Sequence, residues 1–209
     1  MFKARLRKTK NPCARCGLNP DLCICELIPL LNLKTRILLV VHVKELKRTT
    51  NTGKLALEAL PNHVMKIRGI KDEPLDLTNQ LSENFESLLY YPSEDAVELN
   101  QQFMSSITKP VQLIVPDGNW RQASKVHIRH QELKHLPRVM IKEKNTAQHH
   151  LRTETTSYGM STLEAIAKAL GVIEGPSVEA ALIKLYQAKL QNTLKGRGIV
   201  SIEKPFSFV

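Results

Sequence analysis

Two short runs of mostly apolar residues stand out along this chain. They are RILLVVHV at residues 36–43 and VQLIV at residues 111–115, and both are rich in β-branched or leucine side chains. Nearly continuous apolar runs of this length are typical of strands that are buried on both faces of a parallel sheet. The alternating segment HVMKIRG (63–69) and the short run RVMI (138–141) predict two further strands.

Helical spacing of apolar residues is found between and after these strands. Pro61 is expected to stop a helix within residues 44–60, and Gly171 is expected to stop a helix within residues 161–170. The acidic segment 71–91 is predicted to be a loop with a short helical piece. We predict five helices, within residues 44–60, 93–107, 119–130, 161–170 and 176–196. Strands that are separated by helices indicate an α/β fold with a mostly parallel sheet flanked by helices.

The length and composition fit one α/β domain rather than two. The 209 residues are 42% hydrophobic and 24% charged, and no repeat stands out. The longest apolar run, ILLVVHV, is far shorter than the roughly 20 residues of a membrane-spanning helix. The N-terminal MFKARLRKTK also lacks the apolar core of a signal peptide. We therefore expect a cytoplasmic protein without a membrane partner.

The positive charge is large for this length, and it is unevenly placed. The formal net charge is +10. Residues 1–16 hold six Lys or Arg and no acid, residues 121–152 hold eight against two acids, and residues 72–98 hold eight acids and no Lys or Arg. Such asymmetry favours a polyanionic partner, because each neutralised phosphate releases counterions. A merely solvated basic surface is the alternative.

All the cysteines of the chain lie in one short segment, NPCARCGLNPDLCICELIP, at Cys13, Cys16, Cys23 and Cys25. In a reducing compartment, the spacing Cys-x2-Cys-x6-Cys-x-Cys favours four thiolates around a tetrahedral Zn²⁺ over two disulfides. Four sulfur ligands leave no position for a catalytic water, so such an ion is structural. A redox pair, an iron–sulfur cluster and unconnected thiols are the alternatives.

Five separated motifs occur in the order and spacing of one protein family. They are the cysteine cluster, HVKELKRTTNTGKLA, YPSEDA, PDGNWRQASK and STLEAIA. In these motifs the chain resembles the DTW-domain family, the tRNA-uridine aminocarboxypropyltransferases, from about Cys13 to Leu190. The Asp-x-Thr-Trp motif that names the family corresponds to the tetrapeptide at residues 117–120, with Asn in place of Thr. Asn keeps a short side chain that is able to cap a helix.

The resemblance implies a specific reaction and a specific fold. S-adenosylmethionine donates its 3-amino-3-carboxypropyl group to N3 of a tRNA uridine, which forms acp3U and releases methylthioadenosine. The family is also similar to the SPOUT class, which implies a C-terminal trefoil knot that binds the donor, in a monomer or a homodimer. We expect a basic tail at residues 1–10, a zinc knuckle at 11–30 and a SPOUT-like DTW catalytic domain at 31–209.

The residues around the DTW motif are the candidate catalytic and donor-binding groups. Asp117 follows a buried strand, where open α/β sheets place their ligands, so it is the candidate base or donor-orienting group; a helix cap is the alternative. Trp120 is the second catalytic candidate, because it can stack on the uracil or on the adenine, unless it belongs to the core. The donor-binding candidates are Pro116, Gly118, Asn119, Ser161, Thr162 and Glu164, of which the last three can equally form a plain capping box.

The candidate RNA-binding residues are basic side chains in and after these motifs. Arg121 and Lys125 lie four residues apart and so share one helix face, where they bind phosphates or are simply solvated. The full set is Arg48, Arg121, Lys125, Arg129 and Arg152. The sequence leaves two other functions open: an S-adenosylmethionine-dependent RNA methyltransferase, and a non-enzymatic zinc-knuckle RNA-binding protein.

Overall fold

The core of the molecule is a six-stranded sheet. The computed structural model describes residues 11–142, 151 and 160–199, and within them every pair of adjacent strands is parallel. The strands are β1 (Arg36–His42), β2 (His63–Arg68), β3 (Glu86–Tyr90), β4 (Val97–Glu98), β5 (Val111–Asp117) and β6 (Arg138–Met140). Their order across the sheet is β2-β1-β5-β3-β6-β4, so that the two longest strands, β1 and β5, are neighbours.

Helices cover both faces of this sheet. They are α1 (Gly53–Ala59), α2 (Gln101–Met104), α3 (Trp120–Arg129), α4 (Thr162–Ile173) and α5 (Pro176–Gly196). Alternate residues of a strand point to opposite faces, so Leu39 and Val41 pack in the core cluster that includes α1, α4 and α5. Leu38 and Val40 pack on the other side, against α3. The predicted α/β fold with a parallel sheet flanked by helices is confirmed.

The strongest sequence signals gave the most accurate boundaries. All four predicted strands are confirmed to within two residues, as are the helices predicted at 119–130 and 176–196. Residues 37–41 of β1 are almost completely inaccessible to solvent, as a strand buried on both faces requires. No helix among the described residues has both the length and the apolar composition that are needed to cross a bilayer.

The prediction was wrong over parts of residues 71–107. The predicted loop does contain a short helical turn, Thr78–Gln80, but it also contains β3, which pairs with β5 and β6. The predicted helix at 93–107 is reduced to α2, which Asn100 caps by accepting a hydrogen bond from the amide of Phe103. The two residues of β4 precede it. With two residues, β4 is too short for a periodic signal, and only its pairing with β6 defines it.

Gly171 does not end α4, as the sequence analysis expected. The helix continues to Ile173, and the chain turns at Gly175, whose φ of 118° is in the region that favours glycine. Gly171 instead faces α5: a Cβ atom at this position would lie 2.2 Å from the Glu179 carboxylate. The glycine therefore allows α4 and α5 to pack closely.

Candidate active site and cysteine cluster

A cavity of about 250 Å³ opens at the carboxyl edge of the sheet. The ends of β3, β5 and β6 form its floor, and the first turns of α3 and α4 form its sides. This is the edge at which open α/β sheets bind ligands. Eight of the residues named from the sequence line the cavity: Arg48, Pro116, Asp117, Gly118, Asn119, Trp120, Ser161 and Thr162.

Asp117 is a buried carboxylate of the cavity that two side chains hold. It is the last residue of β5, and only 6% of its surface is exposed. Its Oδ2 accepts a hydrogen bond from Asn51 Nδ2 at 2.7 Å, and its Oδ1 accepts one from the Thr162 hydroxyl at 2.5 Å. The two donors come from different segments of the chain and bind different oxygens, so together they fix the carboxylate in one orientation.

The residues around Asn51 explain why its amide points at Asp117. Asn51 Oδ1 accepts a hydrogen bond from the amide of Lys54 at 2.8 Å, in the first turn of α1. This contact turns the Nδ2 group of Asn51 toward the sheet. Gly53 follows, and a Cβ atom on it would lie 2.9 Å from Asp117 Oδ2. The absence of a side chain at Gly53 therefore lets α1 approach the carboxylate.

Trp120 lies at the rim of the cavity and is 38% exposed, so it is not a core residue. Its ring meets Tyr91 edge to face, with the ring centroids 6.3 Å apart, and Tyr91 stacks on His127 at 4.7 Å. Burial and then the charge of Arg138 lower the pKa of His127, which favours the neutral imidazole. The rim is thus an uncharged aromatic surface, and offset or edge-to-face packing holds it together.

Asn119 performs the capping role that was expected for a DTW motif with Asn in place of Thr. Its Oδ1 accepts from the amide of Gln122 at 2.9 Å, and the Gln122 side chain accepts from the amide of Asn119 at the same distance. This reciprocal capping box starts α3 directly after β5. Gly118 is tightly packed, since a Cβ atom there would lie 2.9 Å from Gln122 Cβ.

The start of α4 forms the opposite wall. Ser161 and Glu164 make a capping box, in which the serine amide donates to Glu164 Oε2 at 2.9 Å. Glu164 is buried, with 9% exposure, and this bond directs its carboxylate toward the helix start. Thr162 differs from both, because its hydroxyl reaches Asp117 across the cavity. The three residues that the sequence grouped together therefore have different roles: Ser161 and Glu164 cap α4, whereas Thr162 contacts Asp117.

The basic candidates divide between the cavity and α3. Arg48 lines the cavity, and its Nε lies 3.4 Å from the carboxylate of the fully buried Glu45. Arg121 and Arg129 are exposed on α3, and Lys125 between them is half-buried. Arg152 lies outside the described residues.

The sequence analysis missed the aromatic pair Tyr90 and Tyr91, which line the cavity beside Trp120. Their segment was predicted as loop, although a pair of aromatic residues ending the run LLYY was an available signal. The hydrogen bond from Asn51 to Asp117 was not predicted either. No local pattern indicates that its amide reaches Asp117, because the two residues are 66 positions apart.

The four cysteines converge at one point next to the sheet. All their sulfur atoms lie within 4.8 Å of one another, and the Cys13 and Cys25 sulfurs are 3.4 Å apart. A tetrahedral Zn²⁺ with Zn–S bonds of about 2.3 Å needs sulfurs roughly 3.8 Å apart, so this donor set fits the ion. The thiols are free of disulfides. The predicted cluster of four potential metal ligands is confirmed.

Turn residues bring the cysteine pairs together. Gly17 adopts a φ of 69° and its amide donates to the carbonyl of Cys13, which closes the first turn. The backbone amide of Cys16 and then the Cys25 thiol lower the pKa of Cys13 to about 6, whereas burial raises the pKa of Cys25 to about 12. Thiolate character is thus favoured at Cys13 and disfavoured at Cys25, and a bound cation would balance the thiolate charge.

A fully buried lysine joins the cysteine cluster to the edge of the cavity. Lys189 of α5 donates to the carbonyl of Cys16 and, at 2.8 Å, to the carbonyl of Thr49. Burial lowers the pKa of Lys189 to about 8, against the opposing effect of the nearby cysteines. Because Thr49 directly follows Arg48 and lies two residues before Asn51, this contact ties the cluster to the segment that holds Asp117.

Comparison with known proteins places the whole of this arrangement in one family. The model of the family described as "DTW domain" matches residues 10–194. Three similar proteins carry the name "tRNA-uridine aminocarboxypropyltransferase 2". The one from Macaca fascicularis is 26% identical over 187 residues, which cover 87% of this chain and 63% of that protein. Those from Mus musculus and Drosophila melanogaster are 25% and 28% identical, covering 93% and 84% of this chain and 67% and 72% of theirs. No solved structure matches the chain significantly.

Proposed function

The chain belongs to the DTW-domain family, and from that premise we propose that it is a tRNA-uridine aminocarboxypropyltransferase. The substrate donor is S-adenosylmethionine, the acceptor is N3 of a tRNA uridine, and the products are acp3U and methylthioadenosine. One observation supports this most directly. A carboxylate that two side chains fix in place, Asp117, lies in a cavity with an aromatic rim at the ligand-binding edge of the sheet.

The donor fits the part of the cavity between the two helix starts. One wall is lined by Pro116, Gly118 and Asn119, and the other by Ser161 and Thr162. Both helices are already capped by their own side chains, so the remaining backbone amides of the first turns are available to the donor carboxylate. When bound, S-adenosylmethionine supplies an electrophilic carbon next to its sulfonium.

Asp117 is the base in this proposal. The uridine N3–H proton moves to the carboxylate as N3 forms a bond to the γ-carbon of the aminocarboxypropyl group. The carbon–sulfur bond breaks, and its electron pair remains on the sulfur of methylthioadenosine. Asn51 and Thr162 hold the carboxylate at a fixed position during this step, which is the positioning that transfer of one chosen carbon requires.

The uracil and the RNA backbone have separate binding groups. Trp120 and Tyr91 present an aromatic surface at the rim, on which a base can stack for about 1–3 kcal/mol. Arg48 at the cavity and Arg121, Lys125, Arg129 and Arg152 bind phosphates in the tRNA. The exposure of Arg121 and Arg129 on the helix that begins at Trp120 supports this assignment.

Membership of the DTW-domain family also supports proposals about a bound metal and about the fold. We propose that Cys13, Cys16, Cys23 and Cys25 hold one structural Zn²⁺, because the sulfur spacing suits a tetrahedral ion.

We also propose a SPOUT-like fold with a trefoil knot. The position of the cavity, between the ends of β3, β5 and β6 and the start of α4, supports a donor site that several successive loops build together.

Mass spectrometry of nucleosides tests the reaction. Purified protein is incubated with S-adenosylmethionine and unmodified transcribed tRNAs, and the RNA is digested. We expect a uridine whose mass is increased by one aminocarboxypropyl group, together with methylthioadenosine in equal amount. S-adenosylhomocysteine with methylated uridine would indicate a methyltransferase. An unmodified digest from several tRNA pools, with no S-adenosylmethionine binding by calorimetry, would instead favour a non-enzymatic RNA-binding protein.

A further inference from the structure

A group of basic side chains lies beside the cavity at the same edge of the sheet. It combines His42 at the end of β1, Lys44 just after it, and Arg68 at the end of β2 with Lys125 and Arg129 of α3. We call these five residues the basic edge. Only Lys125 and Arg129 belong to the RNA-binding set named from the sequence.

The strand register places the basic edge close to the catalytic carboxylate. Asp117 is paired with Val41 of β1, and the next residue, His42, is paired with Arg68 of β2. Adjacent strands are about 4.8 Å apart, so the backbone of Arg68 lies two strand spacings, about 10 Å, from that of Asp117. An RNA strand whose uridine occupies the cavity therefore has its neighbouring nucleotides within reach of this edge.

Direct contacts join the three elements that carry these side chains. Arg68 Nη1 donates to the carbonyl of Gln122 in α3 at 3.0 Å. After Arg68 the chain turns at Gly69, whose φ is 81°, and a Cβ atom there would lie 2.8 Å from His42 Nε2. The ends of β1 and β2 are thus fixed against α3, and the basic groups are held near one another.

Neighbouring positive charges of the basic edge disfavour the protonated forms of His42 and Arg68, in addition to burial. Burial, followed by the charges of Arg68, Lys44 and Lys125, lowers the pKa of His42. Burial and then Arg129 lower the pKa of Arg68. Glu45 opposes the effect on His42, but it is fully buried beside Arg48. Like charges held together at one edge of a binding cavity are a feature of polyanion-binding surfaces.

We propose that the basic edge binds backbone phosphates of the RNA next to the target uridine, with Arg68 and Lys44 as contact residues beside Lys125 and Arg129. This inference rests on the proposed function, since it takes its RNA from the substrate. The guanidinium groups suit phosphate because they donate in a planar fork. The continuity of α3, from Trp120 at the cavity to Arg129, favours a nucleic-acid strand over an acidic protein.

The salt dependence of tRNA binding tests this surface. The dissociation constant of unmodified transcribed tRNA is measured between about 50 and 300 mM KCl for the wild type, Arg68→Gln, and the double variant Lys44→Gln/Arg129→Gln. Each lost phosphate contact should reduce the slope of log Kd against log salt by about 0.7–0.9, hence by roughly 1.4–1.8 in the double variant. Lys44 and Arg129 are exposed, so their replacement should leave the fold intact.

The matched control is the double variant Lys109→Gln/Lys184→Gln, which removes the same charge from exposed sites just before β5 and on α5, away from the basic edge. Its slope should equal that of the wild type. Unchanged slopes in both test variants, or an equal decrease in the control, would overturn the proposal. Product formation by the wild type is scored separately: acp3U with unchanged slopes refutes only the basic edge, whereas altered slopes without acp3U refute the proposed function.

Discussion

The cysteine cluster and the cavity are built in opposite ways. The four thiols come from 13 consecutive positions, 13–25, and tight turns bring them together. The cavity takes its walls from segments that are spread from Arg48 to Ala165, and its central carboxylate is held by residues 66 positions before and 45 positions after it. A site built within a few turns is visible in the sequence, whereas one assembled by the sheet is only partly visible.

The two regions also differ in what they contribute. The cluster fits a structural ion, and nothing in its donor set leaves room for a substrate. The cavity exposes an aromatic rim and encloses a fixed carboxylate. Changes in the cavity should therefore affect activity more than stability, and changes in the cluster should do the reverse.

The largest expected effect on activity is that of Asp117→Asn. The substitution keeps the size of the side chain but removes the proton acceptor, so kcat should fall about 10²–10⁴-fold. The melting temperature and the affinity for S-adenosylmethionine should change little. Asp76→Asn, at an exposed carboxylate that caps a distant turn through Thr78, is the matched control. Wild-type kcat in the Asp117 variant would exclude it as the base.

The largest expected effect on stability is that of Cys23→Ser. Loss of one thiolate should release the metal, and losses of bound metal are among the substitutions that cost about 4–5 kcal/mol. Elemental analysis should show one zinc per wild-type chain and none in the variant. Activity per folded molecule should fall far less than in Asp117→Asn. A fully folded wild-type protein that contains no metal would contradict the structural role of zinc.

A smaller effect within the cavity is expected for Gly53→Ala. The new methyl group would meet Asp117 Oδ2 at 2.9 Å and displace the carboxylate by several tenths of an ångström. We expect kcat to fall by roughly tenfold, because small misplacements of a catalytic group are costly. Gly196→Ala is the control, since its nearest contact is the end of the flexible Leu22 side chain. Equal activity in both variants would show that the approach of α1 does not position Asp117.

The smallest effect concerns the contact that joins the two regions. Lys189→Met fills the same volume but leaves the carbonyls of Cys16 and Thr49 without their donor, so the free energy of unfolding should fall by about 1–3 kcal/mol. Denaturant titration measures this change. Lys184→Met, at an exposed position of the same helix, should have no such effect. Equal stability of the two variants would mean that the buried lysine does not stabilise this junction.

Sequence patterns predicted most of the fold, and the misses have a common cause. The runs at 36–43 and 111–115 are apolar at most positions, which identifies β1 and β5 without knowledge of their neighbours. Residues 97–98 carry no such signal, because β4 is two exposed residues that become a strand only by pairing with β6. Gly171 was misread for the same reason: its role is the contact with Glu179, which lies in another helix.

By itself, the sequence determined the features whose causes are local. These are the main strands, the capping boxes of α3 and α4, and the spacing of the cysteines, all of which depend on residues within a few turns of one another. The tertiary structure alone decided that Asn51 and Thr162 hold Asp117, that Tyr91 supports Trp120, and that Arg68 lies beside α3. These contacts join residues that are distant in the chain, and they form because burial of the sheet between two helix layers places the strand ends at one edge.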